Sequence, residues 1–321
     1  AGYCLTLHRE AAFANSAGQA VTGRRTEAAM DAIARCAGAD SVARLASARL
    51  ADISGALLGA RAATKARAGA APVELPPGRY EVVLEPTAVA DLLQNLATFG
   101  FNGKAYNERR SFAVPGAAQF DPAITLVDDP TATPALPFDP EGTPRAPLRL
   151  VERGVTIAVA HSRRTAAEAG TASTGHASPA GASAGAMPLH LGILPAAGPD
   201  APTGDPRPVG PAVDAETAAL VAEVRRGLLV TDLWYTRVLD PKSLVVTGLT
   251  RNGVWRIEDG EVTTAVQNLR FTQSYPRALG PGAVLGVGRR AALQPERYAG
   301  AWWSAPALRL ASWNFTGGAS G

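Results

Sequence analysis

Apolar and polar positions alternate most regularly in the last third of the chain. Residues 244–250 form a β-rich run, Arg251-Asn252-Gly253 carries an Asn-Gly turn signal, and 254–257 resumes the strand pattern. Glu258-Asp259-Gly260 supplies a second turn and 261–266 a third strand, so the pattern predicts an antiparallel meander. Strand signals also mark 80–85, stopped by Pro86, then 124–127, which runs into Asp128-Asp129-Pro130, and 307–315. Residues 1–8 read like the middle of a strand, and 189–194 like a short apolar one. Helical spacing is confined to three places. In 87–99, Val89, Leu92, Leu93 and Leu96 share one face, with Thr87 placed as the N-cap. Leu57, Leu58, Ala62 and Ala63 mark a helix over 54–68, and Asp214 caps one over 214–225. Residues 26–36 are ambiguous, with propensity favouring helix. Residues 171–210, dense in Gly, Ala, Ser and Pro, predict a long flexible loop. The Leu75-Pro76-Pro77-Gly78 break separates 1–70 from 71–321.

Composition narrows the function classes. The 321 residues carry a formal net charge of only +3, and the basic residues are scattered rather than clustered. That argues against direct nucleic-acid binding and against a polybasic membrane anchor. Cys4 and Cys36 make neither a disulfide framework nor a C-x-x-C motif, so a reducing cytoplasm is the simplest setting. No run reaches the ~18 apolar residues of a membrane span. The strand-like opening at Ala1 suggests a chain that starts inside a domain, with an N-terminal portion missing.

Three segments, 227–261, 170–177 and 307–317, resemble the TldD/PmbA family, described as modulators of DNA gyrase and as metal-dependent peptidases. The resemblance implies an α+β fold whose β-rich C-terminal domain, 71–321, contains an antiparallel meander and a few helices. Residues 1–70 would be the remainder of the N-terminal domain with its connecting helix, and the family would place a strand at 26–36. One branch of the family carries Leu-Leu-His-Glu-x-x-x-His-Gly on the helix after the Val-Val-Leu strand. Its two His and a later Cys hold a metal, and the Glu acts as base on metal-bound water. In this chain Gln94, Asn95 and Phe99 stand at those three positions, and no Cys follows Cys36. An amide binds zinc poorly and cannot take a proton from water at neutral pH, and a phenyl ring does neither. The resemblance is therefore to the PmbA (TldE) branch. It implies no catalytic residue and no metal in this chain, zinc on a TldD-like partner subunit, and a heterodimer whose cleft admits unfolded or extended peptides. His176, Thr174, Gly175 and Asn252 are the candidates for the cleft. The alternatives are a stand-alone peptidase with another site and a non-enzymatic protein that modulates a partner such as DNA gyrase.

Other signals carry less. His161, His176 and His190 lie about fifteen residues apart and could converge on a metal, but no helical pair or His-x-His supports this. His176 is as readily a structural hydrogen-bonding histidine as a peptide contact. Gly286-Val287-Gly288 before Arg289-Arg290 lacks the rest of a phosphate loop. Trp302, Trp303 and Trp313 suggest an interface, where aromatic residues are enriched. No Gly-x-Ser-x-Gly elbow is present.

Overall fold

The computed structural model describes residues 1–36, 38–196, 213–295 and 301–318. Three antiparallel strands come first, β1 (Gly2–Ala14), β2 (Ala20–Cys36) and β3 (Ala39–Ser47), in that order across a small sheet. The ambiguous stretch 26–36 is thus strand. Its alanines are helix formers, but both edges of β2 are taken by partners, and small side chains let a helix lie close on one face. That helix is α1 (Gly55–Ala68), which packs Leu58 and Ala62 against Ala43. Ser54 caps it by accepting the Leu57 N–H at 3.3 Å.

A second, eleven-stranded sheet makes up the body. It begins with β4 (Gly78–Leu84), which leads into α2 (Pro86–Asn95) and then α3 (Gly103–Asn107). β5 (Leu126–Asp128), β6 (Leu148–Glu152), β7 (Val155–Thr156), α4 (Arg163–Ala169), β8 (Leu191–Ile193) and α5 (Ala215–Val221) follow. The long strands β9 (Arg226–Asp240), β10 (Val245–Glu258), β11 (Glu261–Val266) and β12 (Leu269–Ser274) come next. The chain closes with α6 (Tyr275–Ala278), β13 (Val284–Pro295) and β14 (Trp302–Gly318). The main path runs β11-β10-β9-β4-β14-β8-β5-β6-β7, with β12 on β10 and β14, and β13 on β14. Among the described strands, β4 with β9 and β14 with β8 pair in parallel and the rest antiparallel. The fold is α+β, rich in strands and with few helices.

The apolar face of α2 is as its spacing predicts: Val89, Leu92, Leu93 and Leu96 are all fully buried. Its ends differ. Glu85, not Thr87, is the N-cap, and Pro86 takes the first helical position, where a missing N–H leaves nothing unsatisfied. At the other end the helix widens into a π turn over Leu96–Gly100, with Phe101 N donating to Leu96 O at 2.8 Å. A Cβ on Gly100 would strike the Phe112 ring, so this turn needs a glycine there.

The Asn252-Gly253 signal does not make a hairpin turn. β10 is one continuous strand, and the pair forms a bulge within it, with φ of 58° and 123°. Arg251 and Val254 on either side both pair with β9, opposite Asp232 and Val230. Left-handed residues serve a bulge as well as a turn, which is why the dipeptide misleads. The meander's true turns lie before Val245 and at Asp259-Gly260, a two-residue turn with both φ positive that closes Glu258 onto Glu261. The tryptophans are also corrected. Trp302 is packed against Ala29 and Ala46 between the two sheets, and Trp313 lies against Phe271 and Tyr275, so they fill the core and not an interface.

The loop expected at 171–210 is irregular over 171–190 but packed, with His176, Ala177 and Ala186 buried, and β8 follows within the apolar run expected at 189–194; 197–212 lies outside the described residues. The helix after it is capped by Asp214, which accepts Thr217 N–H at 2.9 Å, but ends at Val221. The Gly286-Gly288 pair lies within β13. No described helix is long and apolar enough to cross a membrane.

A buried charge network joins α1 to the body. Lys65 contacts Glu85, and Arg61 reaches both Glu85 (3.3 Å) and Asp214 (2.9 Å). Burial pulls the Lys65 ammonium below its ordinary value, against the opposing pull of Glu85. The same carboxylate that starts α2 is therefore tied to α1 and to the cap of α5.

Candidate functional site

The exposed side of α2 and the middle of β9 face one another under β3. Thr87, Asp91 and Gln94 stand at i, i+4 and i+7, on the side of α2 away from its buried leucines. With Asp232, Trp234 and Tyr235 of β9, Arg44 of β3 and Trp303 of β14, they line a cleft of about 180 Å³.

The cleft has a fixed polar floor. Asp91 accepts the Tyr275 hydroxyl at 2.7 Å, the Thr236 hydroxyl at 2.8 Å and the Asn95 amide at 3.2 Å. Burial, and then the neighbouring Asp91 charge, raises the Tyr275 phenol well above its ordinary value, so it stays a donor. Asp232 accepts Asn252 Nδ2 at 2.9 Å and lies 3.7 Å from Arg44, which itself holds Asp31 at 3.0 Å. The bulge at Asn252 thus serves to aim an amide at Asp232.

The rim is built from a strained residue. Tyr235 has φ 56°, a conformation that costs a bulky side chain roughly 1–3 kcal/mol. Tyr235 and Thr236 together face the single residue Gly248, where a Cβ would meet Thr236 Cγ2 at 2.8 Å. The Tyr235 ring is 65% exposed, with the Arg237 guanidinium 4.7 Å above it.

The three motif positions do not converge. Gln94 lines the cleft, and its side chain has no hydrogen-bond partner among the described residues. Asn95 is buried and donates to Asp91 O at 2.9 Å as well as to the carboxylate. Phe99 sits in the π turn, packed on the apolar core.

His176, Thr174 and Gly175 build a different node, around Asp128. The His176 side chain is 1% exposed, with Nε2 3.0 Å from Asp128 Oδ1 and Nδ1 2.7 Å from Thr174 O. Asp128 Oδ2 accepts His190 N–H at 2.7 Å. Burial alone would raise the Asp128 carboxyl, yet His176 and the His190 N–H hold it below its ordinary value. Burial pushes His190 down to about 3, so its ring is neutral, with Nδ1 2.9 Å from Thr133 Oγ1. His161 is lowered too, by burial and then by His176, and its Nδ1 lies 3.2 Å from Thr165 Oγ1. Thr174 Oγ1 accepts the His161 N–H at 2.7 Å, and Gly175, with φ 74°, lies against Pro144 O. No group of three His, Cys, Asp or Glu among the described residues is placed to hold a metal.

Of the four residues singled out from the sequence, Asn252 borders the cleft through Asp232, and the other three form the Asp128 node. Asp91, Asp232, Arg44 and Tyr235 were not legible as site residues. The one available signal was Asp91, a carboxylate three residues before Gln94 on the same helix face.

The family model described as the PmbA/TldA metallopeptidase C-terminal domain matches residues 77–317. No curated protein matches the chain. Among solved structures, TldE from Thermococcus kodakarensis is similar over 98% of this chain and 69% of its own, at 20% identity and a TM-score of 0.78. A proposed modulator of a DNA gyrase from Thermotoga maritima is similar over 97% and 67%, at 19% identity and a TM-score of 0.77. Another, from Bacteroides thetaiotaomicron, is similar over 94% and 62%, at 18% identity and a TM-score of 0.70. At these identities the solved structures speak for the fold, while the family model spans three-quarters of the chain: the protein belongs to the TldD/PmbA family.

Proposed function

We propose that this chain is the subunit without metal in a TldD/TldE-type two-component metallopeptidase that acts on unfolded or extended peptides. One observation carries the reading. Where the metal-bearing branch places two His and a Glu on this helix, the chain presents the Gln94 amide to the cleft, commits Asn95 to Asp91 and packs Phe99 against the core. These residues do not fit a zinc ion, and both cleft carboxylates already accept hydrogen bonds from neighbouring donors. Zinc and the activation of water would then belong to a TldD-like partner, and this chain would wall the chamber and hold substrate.

The first sheet offers a place to hold it. Among the described residues β1 is an edge strand of 13 residues, with Tyr3, Leu5 and Leu7 on it exposed. An extended peptide can add to such an edge through its backbone, which selects conformation more than sequence. Cys4 and Cys36, both exposed and free, suit a reducing cytoplasm.

The test is co-expression with a homologue that carries His-Glu-x-x-x-His. The chain alone is expected to hold no stoichiometric zinc and to cleave nothing, while the complex cleaves an unfolded peptide in a chelator-sensitive way. One tightly held metal per chain in the isolated protein, lost on substituting His161, His176 or His190, would overturn the proposal.

A further inference from the structure

We infer that the cleft between α2 and β9 is a side-chain subsite that takes one aromatic residue of an extended peptide, with Gln94 holding the adjoining peptide amide. This rests on the peptide-binding role proposed above and adds to it a preference that backbone pairing along β1 would not produce.

The size fits. A cavity of ~150 Å³ holds a benzene ring, and this one measures about 180 Å³. The walls fit as well. Trp234, Tyr235 and Trp303 line the cleft together with Pro295, and aromatic pairs add about 2- to 10-fold in affinity beyond the area they bury. One polar side chain remains unmatched where a peptide would lie: the Gln94 amide, which offers both a donor and an acceptor, has no hydrogen-bond partner among the described residues. A peptide group presents the complementary C=O and N–H. The charges of Asp91, Asp232 and Arg44 are already matched within the fold, and Arg237, the other charged side chain of the lining, is held over the Tyr235 ring at the rim, so the floor has no charge left to select a charged side chain. The strain at Tyr235 then has a use, because the left-handed backbone turns a large ring out at the rim, where it can close over a guest.

The experiment uses the full chain and its complex with a co-expressed metal-bearing homologue whose Glu base is replaced by Gln. Fluorescein-labelled Ser/Thr-rich 11-residue peptides differ only in a central Phe, Leu, Ala, Lys or Glu, and binding is read by anisotropy. The Phe peptide is expected to bind about 10-fold tighter than the Ala peptide, with Lys and Glu no better than Ala. Tyr235→Phe should keep the preference. Tyr235→Gly, which suits the positive φ, should remove most of it. Gln94→Leu should weaken all five peptides by a similar factor. Equal binding of all five, with affinity retained, overturns the subsite but leaves the peptide-holding role intact. Absence of binding to any of them, by chain and complex alike, overturns both.

Discussion

The cleft and the Asp128 node are built from the same parts and do opposite things. Each centres on a buried carboxylate that accepts several hydrogen bonds, Asp91 from Tyr275, Thr236 and Asn95, and Asp128 from His176 and His190. The node is sealed, and its histidines all have partners. The cleft opens to solvent and keeps, among the described residues, an amide without a hydrogen-bond partner and a strained, exposed ring. Residue type therefore does not mark the site. Histidines, the usual pointer to chemistry, have gone into holding loops together, while the residues that can still make contacts are Gln, Trp and Tyr.

Breaking the node should have the largest effect. Asp128→Ala leaves His176 and the His190 N–H without their acceptor, and each buried polar group left unsatisfied costs about 1–3 kcal/mol. Chemical denaturation should show that loss, with no change in peptide preference in the protein that remains folded. A loss under about 1 kcal/mol, or altered peptide preference, would erase the distinction between the two regions.

Two adjacent residues of α2 sharpen it further. Leu93 is fully buried and Gln94 lines the cleft. Leu93→Ala should destabilise by roughly 2–5 kcal/mol, whereas Gln94→Ala should stay within about 0.5 kcal/mol. Comparable losses at both positions would mean that Gln94 is structural.

Acid should act on the node before the cleft. His190 binds its proton only near pH 3 in the folded protein, but at about 6.5 once unfolded. The unfolded chain therefore binds more protons in that window, and stability falls as pH drops through it, by ~2–3 kcal/mol at pH 4.5. Asp128 acts in the same direction lower down, since its depressed carboxyl contributes stability that is lost as pH falls through its folded value. His190→Gln should flatten the first part of the acid slope in denaturation midpoints measured from pH 7 to 4.5. An unchanged slope would show that His190 is not the group being charged.

The same contrast explains what the sequence disclosed. Helix α2 and its buried face followed from the spacing of Val89, Leu92, Leu93 and Leu96, because one helical face meets one core. The strand at 26–36 did not follow, since alanines sit in β2 only because α1 and the other two strands surround them. Asn252-Gly253 has the chemistry of a turn, and only the pairing of both flanks with β9 makes it a bulge. The cleft was half legible. The lost motif pointed to α2 and to Gln94, but Asp232, Arg44 and Tyr235 come from strands about 140 residues from Gln94 in one direction and 50 in the other, and their meeting is a property of the sheet order. No local pattern marks Tyr235 as left-handed, because that conformation is imposed by the mismatch of two residues against Gly248.

At that residue the effect on stability should have the opposite sign. Tyr235→Gly removes a side chain that is mostly in solvent, so little packing is lost. It also relieves a backbone conformation that glycine adopts freely and tyrosine does not. Against this stands the greater freedom of glycine in the unfolded chain, worth roughly 0.5–1 kcal/mol. The net should be a gain of roughly 0–2 kcal/mol, and at least no loss, given the 1–3 kcal/mol held in such backbone strain. Thermal denaturation of Tyr235→Gly and Tyr235→Ala separates the terms, since alanine loses the ring but keeps most of the strain. Glycine above alanine, and at or above the parent, means that the fold would be content without this tyrosine and that its ring serves the cleft. A clear destabilisation by glycine would instead make Tyr235 part of the framework, and the rim would belong with the node as structure.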